Sequence, residues 1–200
     1  MKAPVAVVVL AGGEGRRMGG GKPLRPFGQT TLVGHAIARA RRWSPIVAVA
    51  VRTRDQLPRE LDAPAILDDP AIPGPAAGLA SAFAFAASVN APRVLTLACD
   101  APRLPDDLLE RLEAALGGAG AAVASSLGRL HPTCALWRTD CAGRLPAYLA
   151  TGASLRGFAA DCGMTSVDWD AGPEGDPFAN ANTPEDLAAL QPDADPDFDT

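Results

Sequence analysis

Several residue types that common functional sites depend on are scarce in this sequence. It contains two histidines, and no two of its four cysteines have the two-residue separation that is typical of zinc and redox motifs. The cysteines are therefore predicted to be unpaired thiols in a reducing compartment, the cytoplasm. No run of eighteen apolar residues is present, which argues against a membrane-spanning helix. Aromatic residues make up 5%, so a core of small aliphatic side chains is expected.

Lysine is scarcer than arginine, and charge is unevenly distributed along the 200 residues. Lysine provides two of the 18 basic side chains, at Lys2 and Lys22, and the rest are arginine. Residues 1–60 carry 11 basic and three acidic side chains, whereas residues 168–200 carry ten acidic side chains and no basic one. The formal net charge of −5 argues against general binding to nucleic acid. Lys22, the lysine outside the extreme N-terminus, lies within a basic, glycine-rich segment.

Apolar runs alternate with helical patterns, which predicts a three-layer α/β/α fold with a mainly parallel, Rossmann-like sheet. The first predicted strand, Val5–Leu10, is a continuous aliphatic run of the kind that is buried on both faces of a sheet. One domain over 1–190 is predicted, followed by an acidic tail over 191–200 that is expected to be disordered. Further strands are expected at 46–51, 65–67, 94–98, 121–125, 131–137 and 165–169, and helices at 31–42, 76–89, 105–116, 140–150, 154–162 and from 183.

Ligands of parallel α/β sheets bind beyond the carboxyl ends of the strands, which selects the loops after the first, third and fourth predicted strands. The first loop has six glycines among residues 12–21 and is followed by Lys22. Glycine lets the backbone approach a ligand closely and present successive N–H groups to phosphate oxygens. The gaps between glycines 13, 15 and 19 do not fit the GxGxxG pattern. The Walker pattern does not fit either, because proline follows Lys22 where a magnesium-binding hydroxyl is needed. A phosphate-binding loop of another kind is predicted.

Five segments, in order along the chain, resemble the signature of a known enzyme family. Together they resemble the molybdenum cofactor guanylyltransferases, which are nucleotidyltransferases with the nucleotide-diphospho-sugar transferase fold. The first segment is shared with many nucleotidyltransferases, and its combination with the last is more specific. The resemblance covers about residues 5–190. The segments are Leu10-Ala-Gly-Gly with Arg17-Met-Gly-Gly and Lys22, Asp68-Asp with Pro73-Gly-Pro-Ala-Ala-Gly, Cys99-Asp-Ala-Pro-Arg-Leu-Pro, His131-Pro-Thr-Cys-Ala-Leu, and Phe178-Ala-Asn-Ala-Asn-Thr-Pro-Glu-Asp-Leu.

The resemblance implies transfer of GMP from GTP to the phosphate of molybdopterin, with release of pyrophosphate and with Mg²⁺ as cofactor. It implies that Lys22, Arg16 and Asp100 are catalytic and that Asp100 ligates the metal. Glycine at the position of Gly12 goes with use of GTP in this family. The resemblance further implies a nucleotide site made by Leu10, Ala11, Gly12, Gly13, Lys22, Asp68 and Asp100.

Several of these residues have structural alternatives. Asp68 lies just ahead of a turn-forming proline and is either a ligand of the base or ribose or a turn residue. His131 is predicted to contact the second substrate, and Asn180 and Asn182 the metal or the second substrate, but a structural histidine and turn asparagines fit the pattern too. Arg52 ends the second strand near where the family has a nucleotide-reading asparagine, which leaves base selectivity open.

Three functions stay open from the sequence. The favoured one is a Mg²⁺-dependent guanylyltransferase whose substrates are GTP and molybdopterin, with molybdoenzymes or cofactor-handling proteins as further partners. The second is a cytidylyltransferase for the same cofactor or a sugar-phosphate nucleotidyltransferase. The third is a nucleotide- or cofactor-binding partner without turnover, against which the presence of both Lys22 and Asp100 argues. Neither nucleic acid nor a membrane is expected as a partner.

Overall fold

A computed structural model describes residues 3–13, 15–152 and 154–191. In these ranges nine strands form a seven-stranded sheet and a two-stranded hairpin. The sheet order is β5-β4-β1-β6-β8-β7-β9, and within it β8 alone runs antiparallel to its neighbours. The prediction of a mainly parallel sheet is therefore confirmed. The strands are Val5–Leu10 (β1), Pro26–Phe27 (β2), Thr30–Thr31 (β3), Val47–Val51 (β4), Ala65–Leu67 (β5), Arg93–Ala98 (β6), Ala121–Ser126 (β7), Arg129–Arg138 (β8) and Met164–Trp169 (β9).

Helices cover both faces of the sheet and give the predicted three layers. Side chains alternate along β1, so Val7 and Val9 pack with the core on the face of α1, α3 and α6, whereas Ala6 and Val8 pack with the core on the face of α2 and α5. No helix in the described part of the chain is both long and apolar enough to cross a membrane. The helices are Leu32–Arg41 (α1), Pro75–Ser88 (α2), Leu108–Leu116 (α3), Leu145–Leu149 (α4), Leu155–Asp161 (α5) and Pro184–Leu190 (α6).

Some element boundaries differ from those predicted. Helix α3 begins three residues late, because the Leu108 N–H bonds the Pro105 carbonyl in a turn ahead of the helix. The helix predicted over 140–150 is divided into a 3-10 helix, Thr139–Arg144, and α4, since Pro146 has no N–H with which to continue the preceding turn. The β2–β3 hairpin has no counterpart in the prediction, because two-residue strands are too short to show a periodic pattern.

The last described residues return to the start of the chain. The Gln191 side chain accepts a hydrogen bond from Gly28 N (2.9 Å) and donates one to Pro26 O (3.2 Å), so the end of α6 is tied to the β2–β3 hairpin. Leu187 and Leu190 of α6 are buried in the core. These contacts hold α6 against both the hairpin and the core. Apart from its first residue, the predicted acidic tail lies outside the described residues.

Candidate active site

The three loops selected from the sequence meet at the carboxyl edge of the parallel strands. They line one cleft with two parts, of about 520 and 270 Å³, which share Leu10, Gly13, Arg52 and Asp100. We name these parts the Lys22 half and the Asp68 half. The other lining residues that matter below are Gly15, Arg17, Lys22, Cys99 and Asn182 in the Lys22 half, and Gly12, Asp68, Gly78, Thr133 and Asn180 in the Asp68 half.

An ion pair stands at the centre of the Lys22 half. The Lys22 ammonium donates to the Asp100 carboxylate and lies 3.3 Å from the Asn182 side-chain oxygen. The side chains of Lys22 and Asp100 are 13% and 22% exposed, so they are shielded from solvent but open to a ligand. The lysine stem packs against Gly15, where an added Cβ would lie 2.7 Å from the Lys22 Cβ and where φ is +58°. Glycine at 15 is thus required both for space and for backbone conformation.

The glycine-rich loop is held largely by bonds within itself. Met18 N and Gly20 N both donate to Gly15 O, at 2.8 and 3.0 Å. The Arg25 guanidinium donates to the carbonyls of Met18 and Gly20. Lys22 begins a 3-10 helix directly after Gly21, whose φ is +60°. These contacts fix the loop locally and account for one of the arginines of the basic first 60 residues.

The Asp68 half is shaped by close packing around a carboxylate. A Cβ added to Gly12 would lie closer than 3.0 Å to Asp68 Oδ2, so only glycine leaves room for the carboxylate at this point. Burial raises the pKa of the Asp68 carboxyl above its ordinary value, and the Ser81 hydroxyl and the Arg52 charge oppose this only in part. Ser81 Oγ lies 3.4 Å from Asp68 Oδ1. A second glycine, Gly78, packs against the β1 end of the cleft.

The segment 176–183, which we name the asparagine loop, contributes to both halves. Ala181 N donates to the Asp100 carbonyl at 2.8 Å, which fixes the middle of the loop beside the ion pair. Its downstream end is fixed by a capping box, in which Thr183 and Asp186 bond each other's backbone N–H groups at the start of α6. Asn182 consequently lies in the Lys22 half and Asn180 in the Asp68 half.

Cysteine chemistry is disfavoured in this cleft. Cys99 lines the Lys22 half, but burial raises the pKa of its thiol far above the ordinary value. Because the thiolate is the reactive form, a pKa raised in this way disfavours Cys99 as a nucleophile. All four cysteines are buried and free, as the sequence predicts.

Comparison with known proteins identifies the family. Residues 7–164 match the family model of the MobA-like NTP transferase domain. The chain belongs to this family. A molybdenum cofactor guanylyltransferase from Rhodobacter capsulatus is 40% identical over 194 residues, covering 94% of this chain and 95% of the relative. One from Mesorhizobium japonicum is 37% identical over 199 residues, covering 94% and 95%.

Solved structures support the same fold. The crystal structure of molybdopterin-guanine dinucleotide biosynthesis protein A from Archaeoglobus fulgidus matches this chain with a TM-score of 0.72 at 21% identity, covering 92% of this chain and 95% of that one. The fold of this MobA-like transferase is therefore the predicted nucleotide-diphospho-sugar transferase fold, and the resemblance noted in the sequence is confirmed.

Most residues predicted for the site come together in this MobA-like cleft. The two halves of the cleft are lined by predicted site residues from the loops after β1, β5 and β6 and from the asparagine loop. The role of each residue stays a prediction. The members that line the Lys22 half are Leu10, Ala11, Gly13, Lys22, Asp100 and Asn182, and those that line the Asp68 half are Leu10, Gly12, Gly13, Asp68, Asp100 and Asn180.

One predicted residue lies outside both halves of the cleft, the side chain of another is not described, and some lining residues were not foreseen. His131 lines neither half. Arg16 begins a 3-10 helix, Arg16–Met18, but its side chain lies outside what the structure describes, whereas Arg17 lines the Lys22 half. Thr133 lines the Asp68 half, and the Ser81 hydroxyl contacts the Asp68 carboxylate. Thr133 belongs to a segment of the family signature, which is the signal that would have indicated it.

Proposed function

We propose that this chain transfers GMP from GTP to the phosphate of molybdopterin and releases pyrophosphate, in a Mg²⁺-dependent reaction. The observation that carries the proposal is the Lys22–Asp100 ion pair, set between a glycine-rich loop and the Asp68 half of the cleft. The names of the relatives that are 37–40% identical over most of the chain support the choice of nucleotide and acceptor.

The proposed chemistry needs charge stabilisation more than proton transfer. An oxygen of the acceptor phosphate forms a bond to the α-phosphorus of GTP, and the bond from that phosphorus to the pyrophosphate oxygen breaks. A phosphate monoester is largely a dianion at neutral pH, since its second pKa is about 6, so no base is needed to activate it. Negative charge builds up on the leaving pyrophosphate, where the Lys22 ammonium stabilises it. The loop backbone orients the phosphate chain.

The residues present fit a magnesium ion that is brought in with the nucleotide. In the described ranges, no group of three or more His, Cys, Asp or Glu side chains forms a ready metal site. Mg²⁺ commonly binds through one or two carboxylates plus substrate phosphates and water, so Asp100 and the neighbouring Asn182 oxygen suffice as protein ligands. When bound, the ion neutralises phosphate charge. Lys22 pairs with Asp100 in this structure, and with Asp100 facing the ion the Lys22 ammonium would contact the phosphates.

The Asp68 half is assigned to the nucleoside. Its carboxylate can only accept hydrogen bonds when ionised, and both guanine and ribose offer donors. Because Gly12 has no Cβ, there is room in the cleft for the Asp68 carboxylate, and Arg52 provides a cationic group in the same half. The arrangement is suited to a base or sugar that presents N–H or O–H groups to Asp68.

The decisive experiment supplies purified protein with Mg²⁺, molybdopterin and each of the four nucleoside triphosphates, and measures pyrophosphate release. We expect release with GTP, dependent on molybdopterin and abolished by a chelator. Release only with CTP, or only when a sugar phosphate replaces molybdopterin, would contradict the proposal. Nucleotide binding without turnover in any mixture would favour a binding partner instead.

A further inference from the structure

The upstream end of the asparagine loop is held by a hydrogen-bonded group whose members line neither half of the cleft. Ser126, the last residue of β7, is fully buried, and its Oγ lies 2.7 Å from His131 Nε2 and 2.7 Å from Asp176 Oδ1. Asp176 Oδ1 also accepts from Phe178 N at 2.9 Å. The Phe178 ring stacks on the His131 ring, with centroids 4.8 Å apart and planes 16° apart. We name these four residues the Ser126 network.

Proton counting defines the direction of each bond in the Ser126 network. The Ser126 hydroxyl has one proton, and the ionised Asp176 carboxylate can only accept, so Ser126 donates to Asp176. His131 must then donate from Nε2 to Ser126 Oγ. Burial lowers the pKa of His131, and the charge of Asp176 opposes this in part. The ring is thus held in one tautomer, with its proton on Nε2, and in one orientation against Phe178.

The Ser126 network joins two segments that reach the Asp68 half. The β7–β8 pairing shifts register, so that Val123 pairs with Ala135 but Ala124 pairs with His131, and residues 132–134 leave the ladder. Thr133 in this bulge lines the Asp68 half, two residues from His131. On the other segment Asn180 lines the same half, two residues from Phe178. The His131–Phe178 stack therefore connects the two segments that carry these lining residues.

We propose that Ser126, His131 and Asp176 are positioning residues that hold the asparagine loop with Asn180 and Asn182 facing the cleft. They do not line the cleft, so they act through the loop. Downstream of them the loop is fixed by the Asp100 carbonyl and the Thr183 capping box, and the Ser126 network supplies the upstream attachment. The effect on turnover rests on the proposed function, whereas the tautomer of His131 can be tested without it.

The first test compares variants by GTP-dependent pyrophosphate release. Ser126→Ala removes both bonds of the hydroxyl, and we expect kcat/KM to fall about 10- to 100-fold, as for small displacements of positioned groups. Asp176→Ala should lose a similar factor, whereas Asp176→Asn retains the Oδ1 acceptor and should restore most of the rate. Ser125→Ala is the matched control. Ser125 is the neighbouring residue, and its Oγ bonds Asp168 Oδ1 at 2.8 Å and the Val167 carbonyl at 3.2 Å, both in β9 and not in the asparagine loop.

A double-mutant cycle separates positioning from a general loss of stability. If Ser126 acts through the loop asparagines, Ser126→Ala should add little further loss in an Asn180→Ala/Asn182→Ala background. Full additivity in that background would overturn the proposal. Equal losses in Ser126→Ala and Ser125→Ala, accompanied by equal falls in melting temperature, would also overturn it, because both would then be effects on packing.

The second test does not depend on activity. The chain has two histidines, so ring ¹⁵N NMR spectra can be assigned by comparison with His35→Gln. We expect His131 to be a single Nε2–H tautomer in the wild-type protein and a tautomer mixture in Ser126→Ala. A mixture already present in the wild type would overturn the proposal. A locked tautomer in a protein that does not use GTP would support the Ser126 network while contradicting the proposed function.

Discussion

The two halves of the cleft are built on different principles. In the Lys22 half, opposite charges face each other, and the loop that carries the lysine is held by its own backbone and by Arg25. In the Asp68 half, a half-buried carboxylate occupies space that exists because residue 12 is glycine. The Lys22 half is therefore arranged for charge, and the Asp68 half for shape. Removal of a charge should damage the first most, and addition of a methyl group should damage the second most.

The largest effect is expected from truncation of the ion pair. Lys22→Ala and Asp100→Ala should each reduce kcat for pyrophosphate release by about 10²–10³-fold, because each removes a group that faces developing charge or the metal. Steady-state kinetics measures this, and thermal melting checks that the fold is retained. Arg144→Ala, which breaks an exposed ion pair with Asp161 elsewhere, is the matched control. A near-normal rate in either cleft variant would remove that residue from the mechanism.

An intermediate effect is expected from Gly12→Ala. The added methyl group would displace the Asp68 carboxylate, and misfits of this kind cost about 1–3 kcal/mol, so the KM for GTP should rise about tenfold or more. We expect kcat to change less, because the Lys22 half is untouched. Gly143→Ala is the control, since an added Cβ there meets no atom within 4 Å. An unchanged KM would show that shape at residue 12 does not matter.

The smallest effect is expected on stability, from Asp68→Asn. A carboxyl pKa raised in the folded state means that the folded protein holds this proton more tightly, so stability falls as pH rises above the ordinary value of 3.8. The variant lacks this titration, and its melting temperature relative to wild type should therefore be higher at pH 7.5 than at pH 4. GTP affinity should fall at the same time. A pH-independent difference in melting temperature would contradict the assigned cause.

Local pattern indicates the phosphate-binding loop of the Lys22 half. The buried run of β1, the glycines that follow it and a lysine in a chain of arginines lie within about twenty residues of one another. Asp100 could be added because strand β6 ends just before it, and parallel strands place their carboxyl ends at one edge. Secondary structure was predictable for the same reason, since β1, β4 and β5 are continuous apolar runs and α1 carries apolar residues at helical spacing.

Contacts between distant parts of the chain could not be predicted in this way. Ser126 and Asp176 are 50 residues apart, and neither belongs to a pattern that indicates the other. The antiparallel direction of β8 and its register shift depend on pairing partners, which a strand's own alternation does not encode. His131 was consequently predicted to face a substrate or to be structural, and only the fold shows it in the Ser126 network.

The contact between Gln191 and the β2–β3 hairpin has a consequence for biosynthesis. It joins residues 163 and 165 positions apart. The cleft likewise needs distant parts of the chain, because Lys22 and Asn182 are 160 positions apart. A nascent chain, which folds from its N-terminus, can form the glycine-rich loop long before the asparagine loop leaves the ribosome. Every prematurely terminated product that stops before residue 180 carries Lys22 and lacks both asparagines. The cleft is thus completed only after residue 182 has been translated and has left the ribosome.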